Sequence, residues 1–197
     1  MQTEIEAKFL AIDHDLMRTK LQALGAHRAA PQRLMKRKTL DFADKRLEKK
    51  GGWVRVRDEN GQVTLAYKQL NDRTLHGTKE VQVIVGDFDQ TVEFLEAIGL
   101  AVISYQETKR ESWRLGNVEV ELDEWPWIKP FIELEGPSES AVKDAAARLG
   151  LAWKTACHGS VEVAYQAEYD VTEAEINAWP EITFTPASDS LQKRRRA

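Results

Sequence analysis

Charged and apolar side chains alternate along much of this chain, and that pattern limits the folds open to it. In Thr3-Glu4-Ile5-Glu6-Ala7-Lys8-Phe9 every second residue from Glu4 is charged and the residues between are apolar. Successive side chains of a β-strand point to opposite faces of a sheet, so alternation at period two predicts strands. Eight stretches have a strand-like pattern: residues 3–10, 34–42, 52–58, 62–69, 78–85, 102–115, 117–124 and 130–136.

The charges are sorted by sign from strand to strand. The first, seventh and eighth strands carry mostly acids, whereas the third, fourth and sixth carry bases such as Arg55, Arg57 and Arg110. A solvated outer face is the simplest interpretation of any one strand, but it gives no reason for the sorting. Helices pack on apolar sheet surfaces. If they cover the apolar faces of these strands from outside, the charged faces point inward. A closed barrel with a polar lumen satisfies both conditions.

Four further segments are predicted to be helical, at about 13–25, 87–98, 138–150 and 159–179. Asn60-Gly61 and Gly116-Asn117 supply residues that tolerate the positive φ of tight hairpin turns. The predicted fold class is α+β, an eight-stranded antiparallel β-barrel or tunnel with helices packed outside. Residues 1–180 are predicted to form this single domain, and residues 181–197 a C-terminal tail that is frayed from 190 onward.

Composition excludes several classes of protein. The chain has 197 residues, of which 30% are charged and 42% hydrophobic, as is typical of a globular domain. A single cysteine, Cys157, rules out an internal disulfide and a cysteine-rich zinc site. The net charge of −4 argues against a nucleic-acid partner. Because the chain shows neither a signal-peptide pattern nor an apolar run of ~18 residues, we expect a cytoplasmic protein without a membrane partner.

A lumen with acids on one side and bases on the other suits one kind of ligand. Clustered carboxylates repel one another unless a cation neutralises them, and Mg²⁺ and Mn²⁺ prefer oxygen ligands. Arginine binds phosphate oxygens in bidentate fashion, and clusters of arginine and lysine attract polyanions. Together the two sides predict a site for a metal-bound polyphosphate.

The order of these charged motifs resembles the CYTH superfamily, also called triphosphate tunnel metalloenzymes. The resemblance covers about residues 2–169, and its weight comes from the combined order, since each motif alone is weak. The matching segments, in chain order, are Glu4-Ile5-Glu6-Ala7-Lys8, Trp53-Val54-Arg55-Val56-Arg57, Lys68, Lys109-Arg110, Leu122-Asp123-Glu124 and Phe131-Ile132-Glu133-Leu134-Glu135-Gly136.

The resemblance implies an eight-stranded tunnel that acts on triphosphates with Mg²⁺ or Mn²⁺. Known activities of the family are inorganic, thiamine and RNA triphosphatases and class IV adenylyl cyclases. At the matched positions, the implied metal ligands are Glu4, Glu6, Asp123, Glu133 and Glu135. The implied substrate-binding residues are Lys8, Arg55, Arg57, Lys68 and Arg110, and those expected to be catalytic are Lys8, Arg57 and Glu133.

Two positions depart from the family pattern and leave the substrate open. Thr108 stands where a basic residue is common, and Leu40 where a tyrosine is often found. A metal-dependent triphosphatase is favoured, because hydrolysis requires no residues beyond those of the charged tunnel. An adenylyl cyclase that converts ATP to cyclic AMP and pyrophosphate is the first alternative, and a non-catalytic polyphosphate or nucleotide binder is the second. The expected partner is a small-molecule triphosphate, and the resemblance allows a homodimer.

Structural roles are expected for most of the other reactive residues. Cys157 has no visible paired base, and the basic run 193–196 is expected to be solvated. Trp125-Pro126-Trp127 lies between the two acidic strands, where contact with the substrate stays open. The four histidines are scattered without metal-ligand spacing: His14, His27, His76 and His158.

Overall fold

The computed structural model of the chain describes residues 1–196, and Ala197, the end of the predicted tail, lies outside them. The strands are β1 (Gln2–Thr3), β2 (Glu6–Phe9), β3 (His27–Phe42), β4 (Gly52–Asp58), β5 (Val63–Leu70), β6 (Thr78–Val85), β7 (Leu100–Leu115), β8 (Val118–Glu124), β9 (Phe131–Glu135) and β10 (Glu181–Ile182). The α-helices are α1 (His14–Ala23), α2 (Phe88–Ala97), α3 (Glu139–Arg148), α4 (Glu162–Glu168), α5 (Glu173–Asn177) and α6 (Asp189–Gln192).

Nine of the strands form a curled antiparallel sheet in the order β1-β6-β5-β4-β3-β7-β8-β9-β2. Its two end strands belong to one segment, because only Glu4 and Ile5 separate β1 from β2. β1 pairs with β6 and β2 pairs with β9, so the sheet curls round until the N-terminal segment joins its two sides. The predicted fold class, α+β with an antiparallel curled sheet and helices outside, is confirmed.

The described residues contain ten strands rather than the predicted eight. The predicted first strand is interrupted at Glu4 and Ile5, where its pairing changes from β6 to β9. β10 is a two-residue strand that runs parallel to β7, and two residues are too few to show alternation. β3 begins at His27, well before the predicted start at 34, and its early part pairs with β7 through register shifts between Arg28 and Arg33.

The helices cover the apolar side of the sheet. α1 and α3 pack on β2, β7, β8 and β9 through a core that includes Leu21, Leu122 and Val142. α2 packs over β3, β4 and β5 with Val92 and Leu95. Most apolar residues of the strands therefore face outward under helices and most charged ones face the lumen. Exceptions are Val81 and Val83 of β6, which are about half exposed, and Glu111 of β7, which is buried and pairs with Arg18 of α1.

Capping side chains set the starts of the predicted helices. The Asp13 carboxylate accepts hydrogen bonds from two backbone N–H groups of α1 at 2.9 and 3.0 Å. Asp87 and Ser138 cap α2 and α3 in the same way. Gly25, at φ +72°, takes the left-handed conformation just past the end of α1. No helix within residues 1–196 is both long and apolar enough to cross a membrane.

The C-terminal part differs from the prediction in two ways. The predicted helix at 159–179 is two helices, because the chain turns extended before Thr172, which starts α5 in a capping box with Glu175. The predicted fraying from 190 onward is wrong for the described residues. Leu191 of α6 is buried in a second core with residues of α4 and α5, and Arg194 forms an ion pair with Glu175 at 2.7 Å.

Candidate active site inside the curled sheet

The charged faces of the strands enclose a cavity of about 920 Å³, at the upper end of the usual size for small-molecule sites. The predicted site residues that line it are Glu4, Glu6, Lys8, Arg55, Arg57, Lys68, Arg110, Glu133 and Glu135. The remaining one, Asp123, is completely buried and binds Arg110 with both carboxylate oxygens, at 2.6 and 2.5 Å. The structure thus brings the ten predicted residues to one place.

Strand order accounts for the sorting of charge. The acid-rich strands β8, β9 and β2 are neighbours, and the base-bearing strands β7, β3, β4 and β5 are neighbours. We call the first group the acidic wall and the second the basic wall. An anion and a cation can each find complementary groups in one cavity.

Carboxylates lie next to one another across the acidic wall. Glu135 stands between Glu6 and Glu119 in the strand register, and Glu133 stands between Lys8 and Glu121. Burial, and after it the charge of Glu6, raises the pKa of Glu135 to about 7. Burial likewise raises the pKa of Glu121 to about 7, against the opposing effect of Arg110. The wall holds more negative charge than its own cations neutralise.

Glu133 joins the two walls. Its carboxylate accepts hydrogen bonds from Lys8 Nζ at 2.8 Å and Arg110 Nη2 at 2.6 Å. Burial alone would raise the pKa of Glu133, but the charges of Lys8 and Arg110 hold it well below its usual range. Glu133 is therefore an anion throughout the physiological pH range.

The basic wall crowds guanidinium groups together. Arg37 lies directly opposite Arg57 in the register of β3 and β4, and Arg55 lies two residues along β4. The Nε–H groups of these three residues are buried, and none has a hydrogen-bond acceptor among residues 1–196. Burial and the neighbouring arginines lower the pKa of Arg57 to about 9 and that of Arg37 well below its usual range. Buried donors without acceptors, in a surplus of positive charge, favour a polyanionic ligand.

Arg37 is the most informative residue that sequence analysis missed. Its Nη2 donates to Thr108 Oγ1 at 2.7 Å, so its guanidinium lies beside the position where the family usually has a basic residue. Its guanidinium carbon lies 4.6 Å from the ring centre of Trp125, which also lines the cavity. The sequence did not predict on which face of β3 the Arg37 side chain lies, because Lys36, Arg37 and Lys38 are three consecutive bases without alternation. Other charged lining residues outside the predicted site set include Arg33, Glu59, Glu80, Glu121 and Glu162.

Glu80 and Glu4 belong to the part of the cavity beside β5. Glu80 pairs with Arg55 at 3.0 Å and with Lys68 at 3.4 Å. Burial alone would raise the pKa of Glu80, but a hydrogen bond with Glu4 and the charges of Lys68 and Arg55 lower it to about 2. Glu4 lies 2.9 Å from Lys68. Burial and a hydrogen bond with Glu80 raise the pKa of Glu4 to about 8.

The carboxylates are turned toward lysine and arginine rather than toward a common point. Within residues 1–196, no three His, Cys, Asp or Glu side chains form a group that could hold a metal ion. The ion pairs of Lys8 with Glu6 and of Arg110 with Asp123 account for this orientation. The donor chemistry nevertheless fits a hard divalent cation, because all five predicted ligands are carboxylates and such ions prefer oxygen ligands.

The other residues considered from sequence have structural contacts. His14 Nε2 lies 2.9 Å from the Phe131 carbonyl oxygen, and the backbone of Cys157 exchanges hydrogen bonds with that of Lys8 at 2.8 and 2.9 Å. Trp127 packs edge-on against Trp179, away from the cavity lining. Cys157 therefore helps to hold the strand that carries Lys8, through its backbone alone.

Comparison with known proteins gives one family and several similar structures. The CYTH domain model matches residues 2–158. A candidate adenylate cyclase from Vibrio parahaemolyticus has a TM-score of 0.73 and 16% identity, over 84% of this chain and 98% of that chain. A protein from Pyrococcus horikoshii OT3 has a TM-score of 0.66 and 22% identity, over 78% and 93%.

A third similar structure is that of a candidate adenylyl cyclase from Hippeastrum with a dominant triphosphatase activity. Its TM-score is 0.57 at 14% identity, over 88% of this chain and 94% of that chain. No curated protein matches the sequence. At these identities the likeness to solved structures shows the fold.

Proposed function

Because the chain belongs to the CYTH domain family, we propose that it is a divalent-metal-dependent triphosphatase that hydrolyses a small triphosphate inside the curled sheet. The observation that carries the proposal is the buried cluster of Arg37, Arg55 and Arg57, whose Nε–H groups have no acceptor within residues 1–196. The cluster lines the same cavity as the carboxylates of the acidic wall. We assign the activity to the cytoplasm, without a nucleic-acid or membrane partner.

The basic wall would hold the triphosphate. Arg37, Arg55 and Arg57 offer fork-shaped donors that match phosphate oxygens, and Lys68 and Arg110 extend this surface to either side. Charge builds up on these oxygens as the phosphoryl group is transferred, so fixed donors would stabilise the transition state. The anion would also relieve the repulsion among the arginines.

The acidic wall would hold Mg²⁺ or Mn²⁺. When bound, such an ion neutralises phosphate charge and acidifies a water molecule. Glu6, Glu133 and Glu135 are adjacent on β2 and β9 and would hold it. Glu4 and Asp123 are the other proposed ligands. To bind the ion, Glu4 and Asp123 would have to exchange their ion pairs with Lys68 and Arg110, and Glu6 and Glu133 theirs with Lys8 and Arg110.

We propose that the general base is a carboxylate other than Glu133. A general base works best when its pKa lies near the operating pH. The pKa of Glu133 lies well below its usual range, which suits charge stabilisation, whereas those of Glu121 and Glu135 are raised to about 7. We assign the acceptance of a proton from the attacking water to Glu121, which is not among the proposed metal ligands, with Lys8 holding Glu133 in place.

An adenylyl cyclase is the second candidate, and the size of the cavity favours it. At about 920 Å³ the cavity has room beyond a triphosphate chain, and Trp53 and Leu70 give part of its lining an apolar character. The same bases and metal would serve attack by the ribose 3′-hydroxyl of ATP, with pyrophosphate leaving. A non-catalytic binder is disfavoured, because binding phosphate needs only the basic wall.

The deciding experiment separates products. Purified protein is incubated with inorganic triphosphate, thiamine triphosphate and ATP, each with Mg²⁺ and with Mn²⁺, and the products are resolved by chromatography. We expect orthophosphate from inorganic triphosphate and no cyclic AMP from ATP. Cyclic AMP and pyrophosphate as the main products would replace the triphosphatase with the cyclase. Tight triphosphate binding without turnover would identify a binder.

A further inference from the structure

The cluster of Arg37, Arg55 and Arg57 is followed on β4 by a carboxylate. Glu59 is the second residue after Arg57, one position past the end of β4. Residues two apart on a strand share a face, and Glu59 lines the cavity together with these arginines. A chain of phosphates that extended beyond Arg57 in this direction would therefore reach Glu59.

A tight turn fixes the backbone of Glu59. Its N–H donates to the Gln62 carbonyl oxygen at 2.9 Å, and the Asp58 carboxylate accepts a hydrogen bond from Gly61 N–H at 2.7 Å. Asn60 and Gly61, at φ +59° and +107°, take the positive φ that a two-residue hairpin loop needs. The turn between β4 and β5 therefore holds the Glu59 carboxylate at the end of the basic wall.

The Glu59 carboxylate lies between two arginines. It accepts a hydrogen bond from Arg33 Nη2 at 2.8 Å and forms an ion pair with Arg57. The other terminal nitrogen of Arg33 donates to Ser112 Oγ at 3.0 Å and to the Arg110 carbonyl oxygen at 3.2 Å, so protein groups engage both ends of this guanidinium. Burial alone would raise the pKa of Glu59, but the charge of Arg57 and the hydrogen bond from Arg33 lower it. Glu59 is therefore an anion at neutral pH.

We propose that Glu59 limits the number of phosphates that the basic wall accepts, and so makes the lumen selective for a triphosphate over a longer linear polyphosphate. The inference deepens the proposed function and rests on it for the number of phosphates. A fourth phosphate beyond Arg57 would lie against the Glu59 carboxylate. Two anions in a partly desolvated cavity repel each other more strongly than in water, so the longer chain is disfavoured.

The opposite end of the arginine cluster has the same kind of contact. Glu80 pairs with Arg55 at 3.0 Å and with Lys68, the next base in that direction, at 3.4 Å. Glu59 pairs in the same way with Arg57 and with the next base beyond it. Because an anion lies at each end, a chain that is one phosphate too long gains no room by shifting toward Lys68.

Glu59→Gln removes the charge of this side chain and keeps its shape. Arg33 and Arg57 then lose their shared counter-ion, while the turn retains its backbone hydrogen bond. A fourth phosphate would meet two guanidinium groups in place of an anion. The variant should therefore gain affinity for the longer chain, and such a gain cannot result from a damaged fold.

Isothermal titration calorimetry with inorganic triphosphate and inorganic tetraphosphate tests this limit. Excess chelator is present, so that neither anion is hydrolysed and the result does not depend on turnover. The wild-type chain is expected to bind tetraphosphate no more tightly than triphosphate. In Glu59→Gln, the dissociation constant for tetraphosphate relative to that for triphosphate is expected to fall at least tenfold.

Two variants control for the loss of a negative charge. Asp58→Asn changes the neighbouring acid, which lies opposite Val63 in the register of β4 and β5, on the face that packs under α2. Glu119→Gln changes an acid that lines the cavity on β8 and pairs with Arg114. Both should leave the ratio of the two dissociation constants as it is in the wild-type chain.

The outcomes separate this inference from the proposed function. Triphosphate binding with the same ratio in the Glu59 variant as in the wild-type chain would overturn the role of Glu59 and leave the triphosphatase standing. An equal change of the ratio in either control would assign the effect to overall charge and overturn it as well. A wild-type chain that binds neither anion would contradict the proposed function and, with it, the inference.

Discussion

Arg37 is the residue at which folding and ligand binding conflict. The residue is 7% exposed, and both its burial and the nearby charges of Arg55, Arg57 and Arg110 disfavour the charged form of its guanidinium. Arg37→Met roughly keeps the side-chain volume and removes the charge. In the absence of phosphate, the free energy of unfolding is therefore expected to rise by roughly 1–2 kcal/mol. kcat/KM for triphosphate is expected to fall at least tenfold, about 1.4 kcal/mol of transition-state binding. Calorimetry and steady-state kinetics measure the two effects.

Lys36→Met is the matched control for Arg37. Lys36 is the preceding residue of β3, but its side chain is exposed. Its replacement should leave both stability and kinetics nearly unchanged. A variant of Arg37 that is destabilised, with kinetics like those of the wild type, would assign Arg37 to structure and remove it from the site.

Glu133 gives the sharpest test of metal dependence. Glu133→Gln keeps the shape of the side chain but leaves the charges of Lys8 and Arg110 without their shared anion. Turnover is expected to fall by about 100-fold or more, because both the metal and the basic residues lose a partner. Steady-state rates are measured over a Mg²⁺ titration, and the wild-type rate in excess chelator is measured beside them.

Glu124→Gln supplies the control for Glu133. Glu124 is an acid at the end of β8 that contacts Gln32 at 2.7 Å and does not line the cavity. It should retain wild-type turnover. Full wild-type activity in excess chelator would contradict the metal dependence, whatever the variants do.

Among the helices and strands, those encoded by a long sequence pattern were predicted most accurately. α1, α2 and α3 each combine a capping residue with an apolar face, and all three formed within two residues of the predicted ends. β10 is two residues long and depends on its contact with β7, which no local pattern encodes. The break between α4 and α5 likewise depends on Thr172 acting as a cap inside a stretch of helical composition.

The same reasoning applies to the side chains of the site. Arg55 and Arg57 could be placed in the lumen because Val54 and Val56 flank them and fix the face of β4. Arg37 could not, because its neighbours are lysines and the register shifts of β3 lie outside any sequence pattern. Alternation thus predicts which strands carry charge, while contacts between strands decide which charges meet.

The capping box of α5 makes a prediction at this scale. Thr172 Oγ1 accepts from Glu175 N–H at 3.2 Å, and the Glu175 carboxylate accepts from Thr172 N–H at 2.7 Å. Thr172→Ala removes the side-chain cap and is expected to lower the free energy of unfolding by about 1 kcal/mol. Thr172→Ser retains the hydroxyl and should lose much less. Urea unfolding measures both, and equal stability of the two variants would mean that packing of Ile176, not the cap, fixes the helix.

In the whole molecule a curled sheet surrounds a charged lumen. Helices cover much of its apolar outer face, and the lumen has an acidic wall and a basic wall. Ion pairs such as Lys8–Glu133 and Arg110–Asp123 neutralise the acidic wall in part, whereas the arginines of β3 and β4 keep unsatisfied donors. The lumen is therefore the part of the fold that a ligand can stabilise most. Stability should respond to polyanions far more than to small monovalent anions.

This property leads to a prediction for the intact chain. Inorganic triphosphate, added with excess chelator so that it is not hydrolysed, is expected to raise Tm through the basic wall alone. At 100 times the dissociation constant the gain is about 2.7 kcal/mol, or roughly 5–10 °C for a chain of this length. Arg57→Ala removes one guanidinium of the cluster and should reduce the shift by more than half at the same concentration. Orthophosphate at equal ionic strength should produce a smaller shift, because it reaches fewer donors. An undiminished shift in the Arg57 variant would place the anion outside the cluster.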